Sequence, residues 1–158
     1  MALTVGTNSY STLVDADAYF NDRLDAAAWT EASDTSKEQA LVTASQVLDG
    51  QTYTGYAESS SQAMSFPRIG SYGDPRLGII VELDGVPARI LRAQKELAYH
   101  LLNNDGLLDD TGAVESLKVG SSIDLKQVTS ANLLPSVVRN LIKPLLVNKG
   151  SKTWWRAN

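Results

Sequence analysis

The sequence predicts a mainly α fold: a small bundle of about four helices with a long extended loop, a β-hairpin insertion and an extended C-terminal tail. Three observations support this prediction. Apolar residues recur at helical spacing in four segments, a stretch rich in Gly, Ser, Pro and Tyr lies between the second and third segments, and apolar residues alternate in a later segment. The helices are expected at 12–23, 34–49, 87–103 and 136–147, the extended loop at 51–85 and the hairpin at 113–128.

Capping signals and apolar stripes predict the first two helices. Thr12, followed three residues later by Asp15, resembles a capping box, and Ser33 or Asp34 can cap the second helix, which stops at Asp49-Gly50. The first stripe is Leu13, Ala16, Tyr19, Phe20 and Leu24, and the second is Ala40, Leu41, Ala44, Val47 and Leu48.

The segment 51–85 lacks a helical pattern. A loop of this length in a compact domain is usually functional or ordered by a partner. Within it, the run Gly78 to Leu83 is either a brief strand or an extended connector. We therefore expect residues of this loop to make contacts, above all Phe66, Pro67, Arg68 and Tyr72.

The strongest apolar stripe belongs to the third helix. Pro87 suits its first turn, and the stripe is Ile90, Ala93, Leu97, Ala98, Leu101 and Leu102. Around Gly120-Ser121-Ser122 the period changes, which predicts the hairpin 113–128. Pro135 opens the last helix and Pro144 kinks or ends it. The expected domain is thus 1–147, followed by a tail at 148–158.

Composition excludes most catalytic chemistry. The 158 residues suit one domain, and with no cysteine and a single histidine the chain has no thiolate site, disulfide, zinc finger or multi-histidine metal site. His100, one helical turn after Glu96, lacks a second base or nucleophile, so we interpret it as structural. We interpret the carboxylates as caps and solvated groups, because neither acidic set has the spacing of a calcium loop: Asp15, Asp17 and Asp22, or Asp105, Asp109 and Asp110.

Phosphate-binding and nucleophile motifs are also missing. The order GxxxxGK[ST] and the pattern Gly-x-Ser-x-Gly do not occur, so we expect neither an enzyme nor a bound cofactor or metal. The N-terminus lacks the pattern of a secretory signal, and the apolar run 141–147 falls far short of the roughly 20 residues that cross a bilayer. A soluble protein made in the cytoplasm is the expectation.

The modest net charge of -4 hides a division of the chain. Residues 1–125 hold 8 basic and 18 acidic groups, whereas residues 126–158 hold six basic groups and no acidic one. The basic end finishes in a tail with two adjacent tryptophans. The tail residues that we expect to bind a partner are Lys149, Lys152, Trp154, Trp155 and Arg156. Such a tail suits a protein partner, its own domain, or nucleic acid, where rings stack on bases and cations meet phosphates. The residues of the tail do not decide between these three alternatives.

The order of short motifs over residues 9–147 resembles the head–tail adaptor proteins of tailed bacteriophages, a group also labelled "putative DnaT-like single-stranded-DNA-binding protein". Phe66-Pro67-Arg68 stands where the group has Trp-Pro-Arg, and the tail extends beyond the shared pattern. The motifs are Tyr10-Ser11, Ala16-Asp17-Ala18-Tyr19-Phe20, Trp29, Lys37-Glu38-Gln39-Ala40-Leu41, Leu48-Asp49, Gly55, Gln62-Ala63-Met64-Ser65-Phe66-Pro67-Arg68, Val86-Pro87 and Ala93-Gln94-Lys95-Glu96-Leu97-Ala98.

The resemblance implies a structural virion protein at the head–tail interface: a homo-oligomeric ring, expected to be dodecameric, that joins the portal to the tail and lines the DNA passage. Its partners would be the portal protein, a tail or stopper protein, further copies of itself, and packaged DNA that passes without sequence-specific binding. The tail residues would then grip the portal or a neighbouring subunit, and an acidic body would repel DNA in the channel. The alternative is a single-stranded-DNA-binding replication protein that uses the same aromatic and basic residues.

Overall fold

The computed structural model describes residues 2–104, 106, 108 and 134–147 of the chain. In this part, the α-helices are α1 (Leu13–Asn21), α2 (Ala27–Thr30), α3 (Asp34–Asp49), α4 (Ala88–Asn103) and α5 (Ser136–Ile142), with a 3₁₀ helix at Lys143–Leu145. The strands are β1 (Tyr56–Ala57), β2 (Arg68–Ile69), β3 (Ser71–Asp74) and β4 (Ile79–Glu82). None of these helices is long and apolar enough to cross a membrane.

Helix α4 is the centre of the packing, with α3 against one side and α5 against another. The stripe predicted for it is buried from Ile90 to Leu101, and Leu102 is partly buried. The predicted starts of the first two helices are confirmed. Thr12 and Asp15 form a reciprocal capping box at α1, and the Ser33 side chain accepts a hydrogen bond from the Ser36 N–H at α3.

A closed network of hydrogen bonds lies inside this packing, around the fully buried Gln94. The Gln94 amide nitrogen lies 2.7 Å from Ser9 Oγ and 2.8 Å from Ser45 Oγ, and its amide oxygen accepts from Ser11 Oγ at 2.8 Å. The Ser9 and Ser45 hydroxyls donate onward to the carbonyls of Ser11 and Leu41. Gln94 therefore joins the N-terminal segment to α3 and α4 without leaving its buried polar atoms unpaired.

Helix α2 is absent from the sequence prediction, because four residues are too short to show a period. It places Trp29 in the core beside Phe20, with ring centroids 4.5 Å apart and planes 27° apart. Tyr99 of α4 stacks on Phe20 in turn, at 5.7 Å and 29°. The three rings, which we call the aromatic column, connect α1, α2 and α4.

The segment 51–85 is not one extended loop, as the sequence predicted, but carries two small antiparallel sheets. Strand β1 pairs with β2, and β3 pairs with β4 in a hairpin whose register places Tyr72 opposite Val81. The brief strand considered at 78–83 is confirmed as β4. Glycine is required at position 55, because its φ is +72° and an added Cβ would lie 2.2 Å from the carbonyl oxygen of Ile69.

The last predicted helix is shorter than expected. It ends at Ile142 and tightens into a 3₁₀ turn that contains Pro144, as the position of that proline indicated. The chain then bonds back to the segment after α3, with Thr54 N–H to Leu145 O at 2.8 Å and Val147 N–H to Thr52 O at 3.0 Å. The predicted hairpin 113–128 and the tail 148–158 lie outside the described residues. The fold is therefore helical with two small antiparallel sheets, and the prediction of a mainly helical bundle is corrected.

Candidate functional site

The outward side of α4 carries a row of basic residues. Three basic residues, Arg89, Arg92 and Lys95, are spaced three residues apart, and Tyr99 follows four residues later. All four therefore share one side of the helix. Arg92 is exposed, while the other three are partly buried. Because α1 packs beside this side, cations and tyrosines from two helices meet there.

Arg23, two residues after the end of α1, closes one end of the aromatic column. Its guanidinium carbon lies 4.4 Å from the centre of the Tyr99 ring, and Arg23 Nη1 lies 2.8 Å from Glu96 Oε2. The Arg23 side chain keeps 30% of its exposure. The guanidinium group is therefore held over the ring, and its salt bridge to Glu96 fixes its position.

Tyr19 and Lys95 form a second ring and cation pair beside the first. Lys95 Nζ lies 5.3 Å from the Tyr19 ring centre, and the Tyr19 hydroxyl donates to Glu96 Oε1 at 2.5 Å. Burial lowers the pKa of Lys95, with Asp15 acting against it, and burial together with the bond to Glu96 raises the pKa of Tyr19. We call Tyr19, Arg23, Arg92, Lys95 and Tyr99 the α1/α4 face.

A groove of about 510 Å³ continues this face toward the start of α4. It lies between α4 and the β3–β4 hairpin, with Tyr72, Leu83 and Leu141 among its apolar lining. Its charged lining contains three arginines and three carboxylates, which are Arg76, Arg89, Arg92, Asp74, Glu82 and Asp84. The groove therefore offers an apolar floor with charges of both signs around it.

Asp74 ties the hairpin to α4 inside the groove. One of its oxygens accepts from Arg76 N–H at 2.8 Å and from Arg89 Nη2 at 2.9 Å, and the other accepts from the Tyr72 hydroxyl at 3.3 Å. Burial raises the pKa of Asp74, but these bonds outweigh burial and hold the pKa below its ordinary value. The carboxylate form is therefore favoured in the folded chain.

We expect this ion pair to make the protein less stable in acid. Because the pKa of Asp74 is lower in the folded chain than in the unfolded one, its contribution is complete above the unfolded value of about 3.9 and is lost as the pH falls. In Asp74→Asn, the urea midpoint should therefore fall less between about pH 5 and pH 3 than in the parent chain. Glu58→Gln, which removes an exposed carboxyl outside the groove, is the control and should keep the parent slope. Equal slopes for Asp74→Asn and the parent would contradict this role.

The four loop residues singled out from the sequence do not lie together on one surface. Phe66 is 2% exposed and packs between Tyr10 and Tyr53, and the bond from Phe66 to Pro67 is cis. The Arg68 guanidinium group donates to carbonyls of the same loop, those of Tyr53, Thr54, Gly55 and Ser65. Only Tyr72 lines the groove. Their contacts with another molecule stay a prediction, as do those of Lys149, Lys152, Trp154, Trp155 and Arg156, which lie outside the described residues.

Two buried tyrosines, Tyr10 and Tyr53, lie at the start of this loop, next to the end of α3. Burial, followed by the nearby Asp49 carboxylate, raises the pKa of both hydroxyls. Asp49 accepts from the Tyr10 hydroxyl and from the Ser65 N–H. Both tyrosines therefore stay protonated and hold the loop to the end of α3.

The sequence analysis missed the α1/α4 face, although part of its signal was present. The spacing of Arg89, Arg92 and Lys95 on one predicted helix could have revealed the basic row. The neighbouring Arg23 could not, because its place depends on how α1 packs. Among the described residues, no group of three or more His, Asp or Glu side chains is placed to hold a metal ion.

Comparisons with known proteins change the interpretation of the chain. No curated protein and no solved structure matches it. A family model does match, over residues 2–158, and its description is "Putative DnaT-like ssDNA binding protein". This description names single-stranded DNA, so the expected virion adaptor that joins portal to tail is wrong, and the match favours the alternative of a single-stranded-DNA-binding protein. The chain belongs to the family that carries this description.

Proposed function

We propose that this protein binds single-stranded DNA. The observation that carries the proposal is the family match, which spans residues 2–158 and so includes both the folded helices and the basic end of the chain. A binder of this kind needs cations that follow the phosphates and flat groups on which bases stack. The chain carries both in two places.

The distribution of charge limits where DNA can lie. The first 125 residues have a net charge of -10, so most of the surface repels phosphates, whereas residues 126–158 have a net charge of +6. The favoured path therefore runs along the basic end and over exposed arginines.

The C-terminal tail supplies the first binding element. Trp154 and Trp155 offer two large rings in sequence, and Lys149, Lys152 and Arg156 lie within five residues of them. Stacking on an aromatic ring contributes about 1–3 kcal/mol per base in proteins of this kind. The tryptophans therefore account for affinity and the cations for the dependence on salt.

The α1/α4 face supplies the second element. Because the Arg23 guanidinium group lies over the Tyr99 ring and the Arg23 side chain stays 30% exposed, its outer surface offers a platform on which a base can stack. Arg92 is exposed beside it and makes no ion pair with any described residue, so it is available to a phosphate. A strand that runs along α4 would meet a stacking group and a phosphate contact in turn.

Titration of the full chain with a fluorescein-labelled oligo(dT) tests the proposal. We expect binding that weakens with salt, and a preference for the single strand over a duplex of the same length. For each phosphate contact, the slope of log K against log salt contributes about -0.7, so Lys149→Ala/Lys152→Ala/Arg156→Ala should make the slope shallower by about 2. Absence of binding at low salt, or equal affinity for the duplex, would overturn the proposal.

Two further variants separate the elements. Trp154→Ala/Trp155→Ala should weaken binding by about thirtyfold or more while changing the salt slope little, because it removes two stacking contacts and no charge. Arg92→Ala should lower both affinity and slope, whereas Arg92→Lys, which keeps the charge, serves as the matched control and should keep the parent slope. If Arg92→Ala and Arg92→Lys behave alike, the α1/α4 face is not part of the DNA path.

A further inference from the structure

The β3–β4 hairpin exposes apolar side chains that the described part of the chain does not cover. Ile80 is 77% exposed, Ile79 is 59% exposed and Leu77, in the turn, is 51% exposed. One side of the hairpin faces the groove through Tyr72, whereas Ile80 lies on the other side, opposite Gly73. Branched apolar residues on a strand are typical of a surface that pairs with another strand.

Strand β4 also has one backbone edge that pairs with no strand of the described residues. In the described part of the chain, β3 and β4 form a two-stranded sheet. Leu83 N–H donates to Gly70 O at 2.8 Å, so Leu83 and Val81 direct their backbone groups toward β3. By alternation, the N–H and C=O groups of Ile80 and Glu82 point away from β3. The segment Ile79–Glu82 contains neither Lys nor Pro, two residues that protect such edges.

The sequence around this edge is complementary to itself. If two copies of β4 pair in antiparallel fashion with Ile80 opposite Ile80, then Ile79 of each copy lies opposite Val81 of the other. This register uses the outward backbone groups of Ile80, and it sets apolar residues beside apolar ones. It also brings the turn of one hairpin, which carries Arg76, beside the base of the other, which carries Asp84.

Charge complementarity identifies the partner. Arg76 and Asp84 are both exposed, and neither makes an ion pair with a described residue. In the antiparallel arrangement they meet twice, once at each end of the paired strands. A shift of the register by two residues would place Ile80 opposite Glu82 and separate these charges. A second copy of the chain therefore fits this edge in one register.

We propose that β4 pairs with β4 of a second copy, so that two hairpins form one four-stranded antiparallel sheet across a two-fold axis near Ile80. The inference does not depend on DNA binding. An isolated two-stranded hairpin is marginal in water, and the added strands would stabilise both copies of it.

Sedimentation of the full chain across a range of concentrations tests this pairing. We expect a reversible dimer, and Ile80→Lys should abolish it because two lysines would face each other at the axis. Val14→Lys is the matched control, since Val14 is 76% exposed on α1, and it should leave the dimer intact. Circular dichroism of each variant checks that the helices are retained. A parent chain that stays monomeric, or a dimer that survives Ile80→Lys, would overturn the proposal.

A charge exchange tests the register itself. Arg76→Asp and Asp84→Arg should each weaken the dimer about tenfold, because two attractive pairs become repulsive. The double variant Arg76→Asp/Asp84→Arg should restore the affinity of the parent, since the charges are again opposite. If the double variant is as weak as the single ones, the two residues do not meet and the antiparallel register is wrong.

Discussion

Replacing Gln94 by leucine is expected to lower the free energy of unfolding by about 2–4 kcal/mol, although leucine is similar in size and helix α4 tolerates it. The change removes an acceptor from the Ser11 hydroxyl and a donor from the hydroxyls of Ser9 and Ser45. These three serines are buried, so water does not replace the lost bonds. Leaving a buried polar group unpaired costs about 1–3 kcal/mol. Urea denaturation followed by circular dichroism measures the loss.

Two comparisons isolate the hydrogen bonds from the change in volume. Gln39→Leu is the control, because Gln39 is exposed on α3 and its replacement should change stability by less than about 0.5 kcal/mol. In the background Ser9→Ala/Ser45→Ala, the cost of Gln94→Leu should shrink, because the Gln94 amide has already lost its bonds to these two hydroxyls. An unchanged cost in that background would show that the amide does not depend on these serines.

The helices could be predicted from the sequence because their signals are local. The capping box at Thr12, the cap at Ser33 and the apolar stripe of α4 all lie within a few turns of chain, and each is found where the pattern placed it. Gln94 shows the limit of this reasoning. It lies in the buried stripe of α4, and only the packing of α3 and of the N-terminal segment explains why a polar residue is stable there.

The segment 51–85 was misjudged for a related reason. Its glycines and prolines are typical of a loop, yet it contains two short sheets. The strands of these sheets have two to four residues, which is too few to show an alternating pattern. Its order also depends on distant contacts. Arg68 donates to carbonyls up to 15 residues away in the chain, and Ser65 bonds to Asp49 at the end of α3. The chain therefore builds part of its own fold here, whereas the predicted contacts of this segment with another molecule stay a prediction.

The resemblance pointed to the right family, but the virion function that it implied is wrong. The motifs that carried it are largely structural: Trp29, Gln94 and Phe66 are buried, and Gly55 is fixed by its backbone. Motifs of this kind identify a fold and say little about a partner. The residues that carry the proposed DNA contacts, such as Arg92 and Trp154, stand outside those motifs or are exposed at their margins.

The second large effect is expected at Phe20, in the middle of the aromatic column. Phe20→Ala should lower the free energy of unfolding by about 3–5 kcal/mol, because the ring is 2% exposed and its removal leaves a cavity between Trp29 and Tyr99. Val14→Ala on the same helix is the control and should change stability by less than about 0.5 kcal/mol. Urea denaturation followed by Trp fluorescence and by circular dichroism gives both values.

The column also supports the proposed binding platform, so a milder variant links stability to function. Phe20→Leu retains much of the volume and should keep the fold, yet Tyr99 loses the ring on which it stacks and Arg23 loses the rigid support beneath it. We expect this variant to bind oligo(dT) less tightly at a temperature where it is fully folded, and a further Arg23→Ala change to add little, because both act on the same platform. If Phe20→Leu lowers stability but leaves oligo(dT) affinity unchanged, while Arg23→Ala weakens binding, the guanidinium acts through its charge alone. Fully additive effects of the two changes would likewise show that the column does not position the base-stacking surface.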